Sequence, residues 1–210
     1  MFVKTLMKPK HQCYVADVQD SLADVLKSLD EHDILGMPVL DGDTFIGMIS
    51  TELIYRGCFN SELNQADYLS QTKTANLVGW EELAITEDEV FEHTLPAFKG
   101  FPVLAVVDRD RTFLGLVTRD DVLEQFESAF GVKKKGVRIA FTSEDSAGRI
   151  ERLGDIIKSH HENVISLTTF DETDKLARRI VLKVDASDNI ERFTNKLERT
   201  GFRILSVKEV

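Results

Sequence analysis

Leu22, Val25, Leu26 and Leu29 recur at steps of three and four residues, the spacing of one helical face. This predicts a helix over Ser21 to His32. Two short apolar runs follow, Met37 to Leu40 and Phe45 to Ile49, separated by Asp41-Gly42-Asp43. An Asp-Gly pair between apolar runs signals a turn, so this stretch reads as two strands. A second helix starts at Thr51. The same order returns from Asp88. A helix is expected over Asp88 to Phe98, ended or bent early by Pro96. Strands then flank the polar turn Asp108-Arg109-Asp110-Arg111, and a helix starts at Arg119.

The likeness extends to individual residues. Thr44-Phe45-Ile46-Gly47-Met48-Ile49-Ser50 reads almost as Thr112-Phe113-Leu114-Gly115-Leu116-Val117-Thr118. Upstream, Met37-Pro38-Val39-Leu40-Asp41 matches Leu104-Ala105-Val106-Val107-Asp108, and Ile34 matches Phe101. The first two thirds therefore holds two copies of one unit.

A different pattern begins after Phe130-Gly131. Val137 to Phe141 reads as a strand, and Ala147 to His160 as a helix with Ile150, Leu153, Ile156 and Ile157 on one side. Asn163 to Phe170 and Leu176 to Val184 read as a strand pair around an Asp171-Glu172-Thr173-Asp174 turn. Ile190 to Arg199 is helical with Phe193 and Leu197 inward, and Phe202 to Val207 is a closing strand. The order βαββαβ implies an antiparallel sheet with helices on one face.

The duplicated unit resembles a tandem pair of CBS domains, a Bateman module. The resemblance covers about residues 1 to 131 and rests on "MPVLDGDTFIGMIS" and "LAVVDRDRTFLGLVTRDDV", the second ending in Gly-x-x-Thr-x-x-Asp at Gly115, Thr118 and Asp121. The last stretch resembles an ACT domain, through its element order and through Asp145-Ser146-Ala147-Gly148-Arg149-Ile150 at the first strand-to-helix turn. Together they are similar in architecture to the bacterial acetoin-utilization CBS–ACT proteins. The resulting expectation is an α+β chain: a CBS domain at 1–66, a second at 67–131, and a ferredoxin-like βαββαβ ACT domain at 136–210.

Thr118 and Asp121 admit two readings. A threonine followed three places on by an acid resembles a capping box, and an acid in the first turn suits the helix dipole. The same geometry places a carboxylate where it accepts the paired hydroxyls of a ribose. Free N–H groups at the helix start favour an anion. The CBS resemblance implies adenosyl binding in this cleft, with Thr118 and Asp121 on the family's ribose positions. Leu104, Ala105, Val106, Leu116 and Val117 are then expected to wall the adenine, and Arg119 to reach phosphates, with Lys8 and Lys10 as lesser candidates. In the first copy Leu53 stands opposite Asp121, with Glu52 one step away. A ribose loses its acceptor there, so one good nucleotide site per chain is expected. For the ACT stretch, the resemblance implies an amino-acid ligand at an interface between two such domains, near Asp145 and Gly148. Turn and cap chemistry also explains both residues.

Composition narrows the function. The net charge of −10 disfavours binding to nucleic-acid backbones. No run of about eighteen apolar residues suggests a membrane span. Met1 to Met7 lacks a long apolar signal core, so a cytoplasmic setting is expected. Cys13 and Cys58 have no CxxC spacing, and the adjacent His160 and His161 do not share a helix face, giving zinc little support. Lys133 to Lys135 reads as a solvated linker, and Trp80 as a packing residue. No GxSxG or Walker loop occurs, so no enzyme is expected. The leading expectation is a homodimeric regulatory protein that requires no cofactor. It senses an adenosyl compound (AMP, ADP, ATP, S-adenosylmethionine or cyclic di-AMP) and signals to a protein target. The alternatives are a dimeric scaffold with vestigial clefts and an ACT-based amino-acid sensor.

Overall fold

The computed structural model describes residues 1–170 and 177–210. The turn expected at Asp171 to Asp174 lies outside the described residues. The chain divides into two compact units, Met1–Leu123 and Glu124–Val210.

In the first unit, β1 (Lys8–Pro9) and β2 (Ala16–Asp17) precede α1 (Leu22–Glu31), then β3 (Gly36–Asp41), β4 (Thr44–Ser50), α2 (Thr51–Phe59) and α3 (Gln65–Gln71). The second copy holds β5 (Ala84–Thr86), α4 (Thr94–Ala97), β6 (Val103–Val107), β7 (Phe113–Thr118) and α5 (Arg119–Ala129). Ser21 caps α1, its hydroxyl accepting from the Asp24 N–H at 3.2 Å. The apolar face of α1 packs with Val39, Ile49 and Ile54. The strands form two sheets, ordered β2-β3-β4 and β1-β7-β6-β5.

The two copies meet through equivalent residues. Phe45 N–H donates to the Arg111 carbonyl at 2.9 Å, and Phe113 N–H to the Asp43 carbonyl at 2.8 Å. Thr44 bridges its counterpart Thr112. This reciprocity is a local twofold relation between the copies.

The long helix expected at Asp88 to Phe98 is not formed. A 3₁₀ turn at Phe91–His93 leads into the short α4 instead. Proline in a helix interior removes a hydrogen bond and clashes with the preceding turn. Starting at Thr94 puts Pro96 in the first turn, where its missing N–H is not needed.

The second unit contains β8 (Val137–Glu144), α6 (Arg149–Ser159), β9 (Val164–Phe170), β10 (Ala177–Val184), α7 (Ile190–Arg199) and β11 (Arg203–Glu209). The sheet is antiparallel, ordered β11-β8-β10-β9. Leu153 and Ile156 of α6 and Phe193 and Leu197 of α7 bury one face against Ile139, Phe141 and Leu182. Ile150, expected on that buried side, is 46% exposed, because it lies in the first turn of α6, beyond the cluster. Among the described residues no helix is long and apolar enough to cross a membrane.

Candidate functional site

Strand β7 runs directly into α5, and Thr118 sits at the junction. Its hydroxyl accepts from the Asp121 N–H at 3.1 Å and donates to Asp121 Oδ2 at 2.5 Å. The Thr118 N–H donates to the same oxygen at 3.3 Å. This is a reciprocal capping box with aspartate at the third position. Asp121 Oδ1 makes no hydrogen bond within the described residues.

A cavity of about 520 Å³ opens beside this junction. Thr118, Arg119 and Asp120 line one side, and Asp121 is not in the lining. Val103 and Leu116 supply an apolar wall, with Ile34 from the first copy. Leu104, Val106 and Val117 do not contribute; each is fully buried. Strand register explains the difference. Val103 pairs with Thr118 and Ala105 with Leu116 on the cavity side, whereas Leu104 pairs with Val117 on the other. Ala105 shares the cavity side but is itself fully buried.

The N-terminal segment completes the cavity. β1 pairs antiparallel with β7, Lys8 opposite Leu116 and Pro9 opposite Gly115. Gly115 permits this approach, since a Cβ there would strike the Lys8 carbonyl and the Met7 side chain. Lys8, Cys13 and Tyr14 are thereby brought to the cavity. The Tyr14 and His32 rings lie 3.6 Å apart between centroids. Lys8 forms no ion pair among the described residues, whereas Lys10 is held by Asp43 at 2.5 Å. The Arg119 guanidinium donates to the Phe101 carbonyl at 2.9 Å. Burial pushes the Cys13 thiol above its ordinary value, partly offset by the Leu116 backbone and Lys8. Periodicity alone does not mark Tyr14, Cys13 or His32; the signal for Cys13 and Tyr14 is the pairing of a two-residue strand, and His32 comes from the C-terminal end of α1.

The first copy has its own cavity of about 420 Å³, with Ser50, Thr51 and Glu52 in the places of Thr118, Arg119 and Asp120. Ser50 caps α2 by accepting from the Leu53 N–H at 3.2 Å. No carboxylate returns the bond, because Leu53 occupies the place of Asp121. Trp80 lines this cavity, 5.1 Å from the Phe101 ring between centroids. Its backbone is left-handed at φ 53°, a conformation uncommon for a residue with a side chain.

At the turn into α6, Gly148 adopts φ 83°. Asp145 makes no cap and instead pairs with Arg178 at 3.1 Å. Arg149 fills the space, donating to Ser143 Oγ at 2.7 Å and to the Gly201 carbonyl at 2.8 Å. The cavity left there is about 40 Å³, enough for water and too small for an amino acid within one chain.

The model of the CBS domain family matches residues 3–56 and 80–128. These two matched segments form a tandem pair of CBS domains. Solved structures similar to this CBS pair include CbpB in complex with c-di-AMP, at 19% identity and TM-score 0.55 over 61% of this chain and 85% of that one. CBSX2, a CBS-pair protein from Arabidopsis thaliana, in complex with AMP, matches at 24% identity and TM-score 0.53 over 63% and 98%. A CBS domain pair/ACT domain protein from Thermotoga maritima matches at 21% identity and TM-score 0.50 over 60% and 96%. At these identities the likeness shows a shared fold. No curated protein matches the chain.

Proposed function

We propose that this protein is a regulatory sensor that binds an adenine nucleotide or another adenosyl compound in the cleft of its second CBS copy. The observation that carries the reading is the cavity of about 520 Å³ at the β7–α5 junction, within the size range of small-molecule sites. Its chemistry suits the parts of such a ligand. Val103, Leu116, Ile34 and Tyr14 offer apolar and aromatic surface for a purine. Thr118 faces the ribose, and Lys8 and Arg119 supply positive charge for phosphate. The ribose hydroxyls replace the Thr118–Asp121 bond, turning an internal cap into a ligand clamp. AMP and c-di-AMP in the CBS-pair structures of similar fold support the class of ligand.

The second unit reads as an ACT domain and the chain as a cytoplasmic homodimer without catalytic activity, similar in architecture to acetoin-utilization CBS–ACT proteins. Nucleotide binding shifts the chain between two states and so signals to a protein target. The shift is limited by the ligand's difference in affinity for those states.

One observation favours a second reading, a scaffold with vestigial clefts. Asp121 is spent on its own cap and stands outside the cavity lining. A thermal-shift panel with AMP, ADP, ATP, S-adenosylmethionine and cyclic di-AMP separates the two. The sensor reading expects stabilisation by at least one compound; no shift with any of them supports the scaffold.

A further inference from the structure

The second unit covers only one face of its sheet with helices. The other face carries a row of three cations on neighbouring strands, ending at a serine on the fourth. Lys208, Arg138, Lys183 and Ser166 are cross-strand partners in that order. Like charges set directly opposite repel, and Lys183 is only 6% exposed. Its ammonium makes a single hydrogen bond, to the Gly131 carbonyl at 2.9 Å. Among the described residues neither Lys183 nor Arg138 forms an ion pair. Arg138 has only a 3.5 Å contact to Ser206 Oγ. A buried ammonium ordinarily has an acidic partner, and this one has none among the described residues.

The row opens onto a cavity of about 420 Å³. Arg138 and Lys183 stand at its polar part, and Phe130, Val132, Phe170 and Val181 give it a long apolar wall. Among the described residues no acid lines it. The turn Phe130–Gly131 is held beside it by Ser166, whose hydroxyl donates to the Phe130 carbonyl at 2.9 Å. The cavity therefore combines unmatched positive charge with apolar surface. It shares no lining residue with the cavity at the Asp145–Gly148 turn or with the CBS clefts.

We propose that this helix-free sheet face binds an amphiphilic anion, its carboxylate or phosphate head on Arg138 and Lys183 and its apolar body along Phe130, Val132 and Val181. The head supplies the acidic partner that Lys183 lacks among the described residues, and the Arg138 guanidinium adds a forked contact.

The test uses the full chain and four probes: octanoate, octyl phosphate, octanol and acetate. Calorimetry is combined with amide chemical shifts of Thr168, Val181 and Lys183. Saturable binding of octanoate or octyl phosphate that moves these amides is expected, and which of the two binds tighter identifies the head. Octanol, lacking charge, and acetate, lacking the chain, bind about tenfold more weakly or worse. Arg138→Gln lowers the anion's affinity about tenfold, and Arg138→Lys restores part of it. Octanol binding as well as octanoate would overturn the proposal. So would an unchanged affinity in Arg138→Gln, or amides that stay still because a second copy covers the face in a dimer. Nucleotide binding by the CBS pair is read separately, so either result leaves that question independent.

Discussion

Replacing Asp121 by alanine separates a helix cap from a ligand clamp. In the free protein Asp121 Oδ2 accepts from the Thr118 hydroxyl and N–H. Alanine leaves both donors without that acceptor. Losing half of a capping box costs about 1–2 kcal/mol, discounted because both residues are only half-buried. For a unit the size of Met1–Leu123, each kcal/mol lowers Tm by roughly 3–6 °C. The free variant should therefore melt a few degrees below the parent. The decisive quantity is the increment added by ligand. At a hundredfold excess over Kd, one site adds about 2.7 kcal/mol, roughly 10 °C by the same conversion. If Asp121 holds the ribose, this increment collapses in Asp121→Ala, while the fold persists by circular dichroism. A variant that melts lower when free yet keeps the full nucleotide increment would refute the clamp and leave Asp121 as a cap alone.

Gly115→Ala should force β1 away from β7, since the added methyl meets the Lys8 carbonyl and Met7. A loss of about 1–3 kcal/mol in urea unfolding is expected, together with weaker nucleotide affinity. Cys13 lines the cavity and Cys58 does not, so bound nucleotide should slow maleimide labelling of Cys13 and leave the Cys58 rate unchanged, read by peptide mass spectrometry. The Asp108 carboxyl is held below its ordinary value, first by the Thr112 N–H that it accepts at 2.8 Å. A depressed folded value contributes stability above the unfolded pKa, near 4, that is lost as pH falls through the folded value. Asp108→Asn should therefore flatten the acid limb of a stability–pH profile below about pH 4.

The duplicated unit was legible because both copies repeat the same Thr-Phe-x-Gly core, and α1, α6 and α7 because each carries a three-and-four apolar stripe. Two features were not. Strands β6 and β7 are buried on both faces and read as continuous apolar runs, so nothing in their composition says which alternate set meets the cleft. That is why Leu104 and Val106 are core and Val103 is wall. Tyr14 and Cys13 reach the cavity only because a two-residue strand pairs with β7, and two residues are too few to show a period. The capping box at Thr118 and Asp121 was readable from spacing, but its closure onto a single oxygen was not.

Titration calorimetry of nucleotide-free protein tests the sensor most directly. The account predicts saturable heat with at least one of the five adenosyl compounds, close to one per chain, and its loss in Thr118→Val. Heat absent with all five, or unaltered by Thr118→Val, would contradict it.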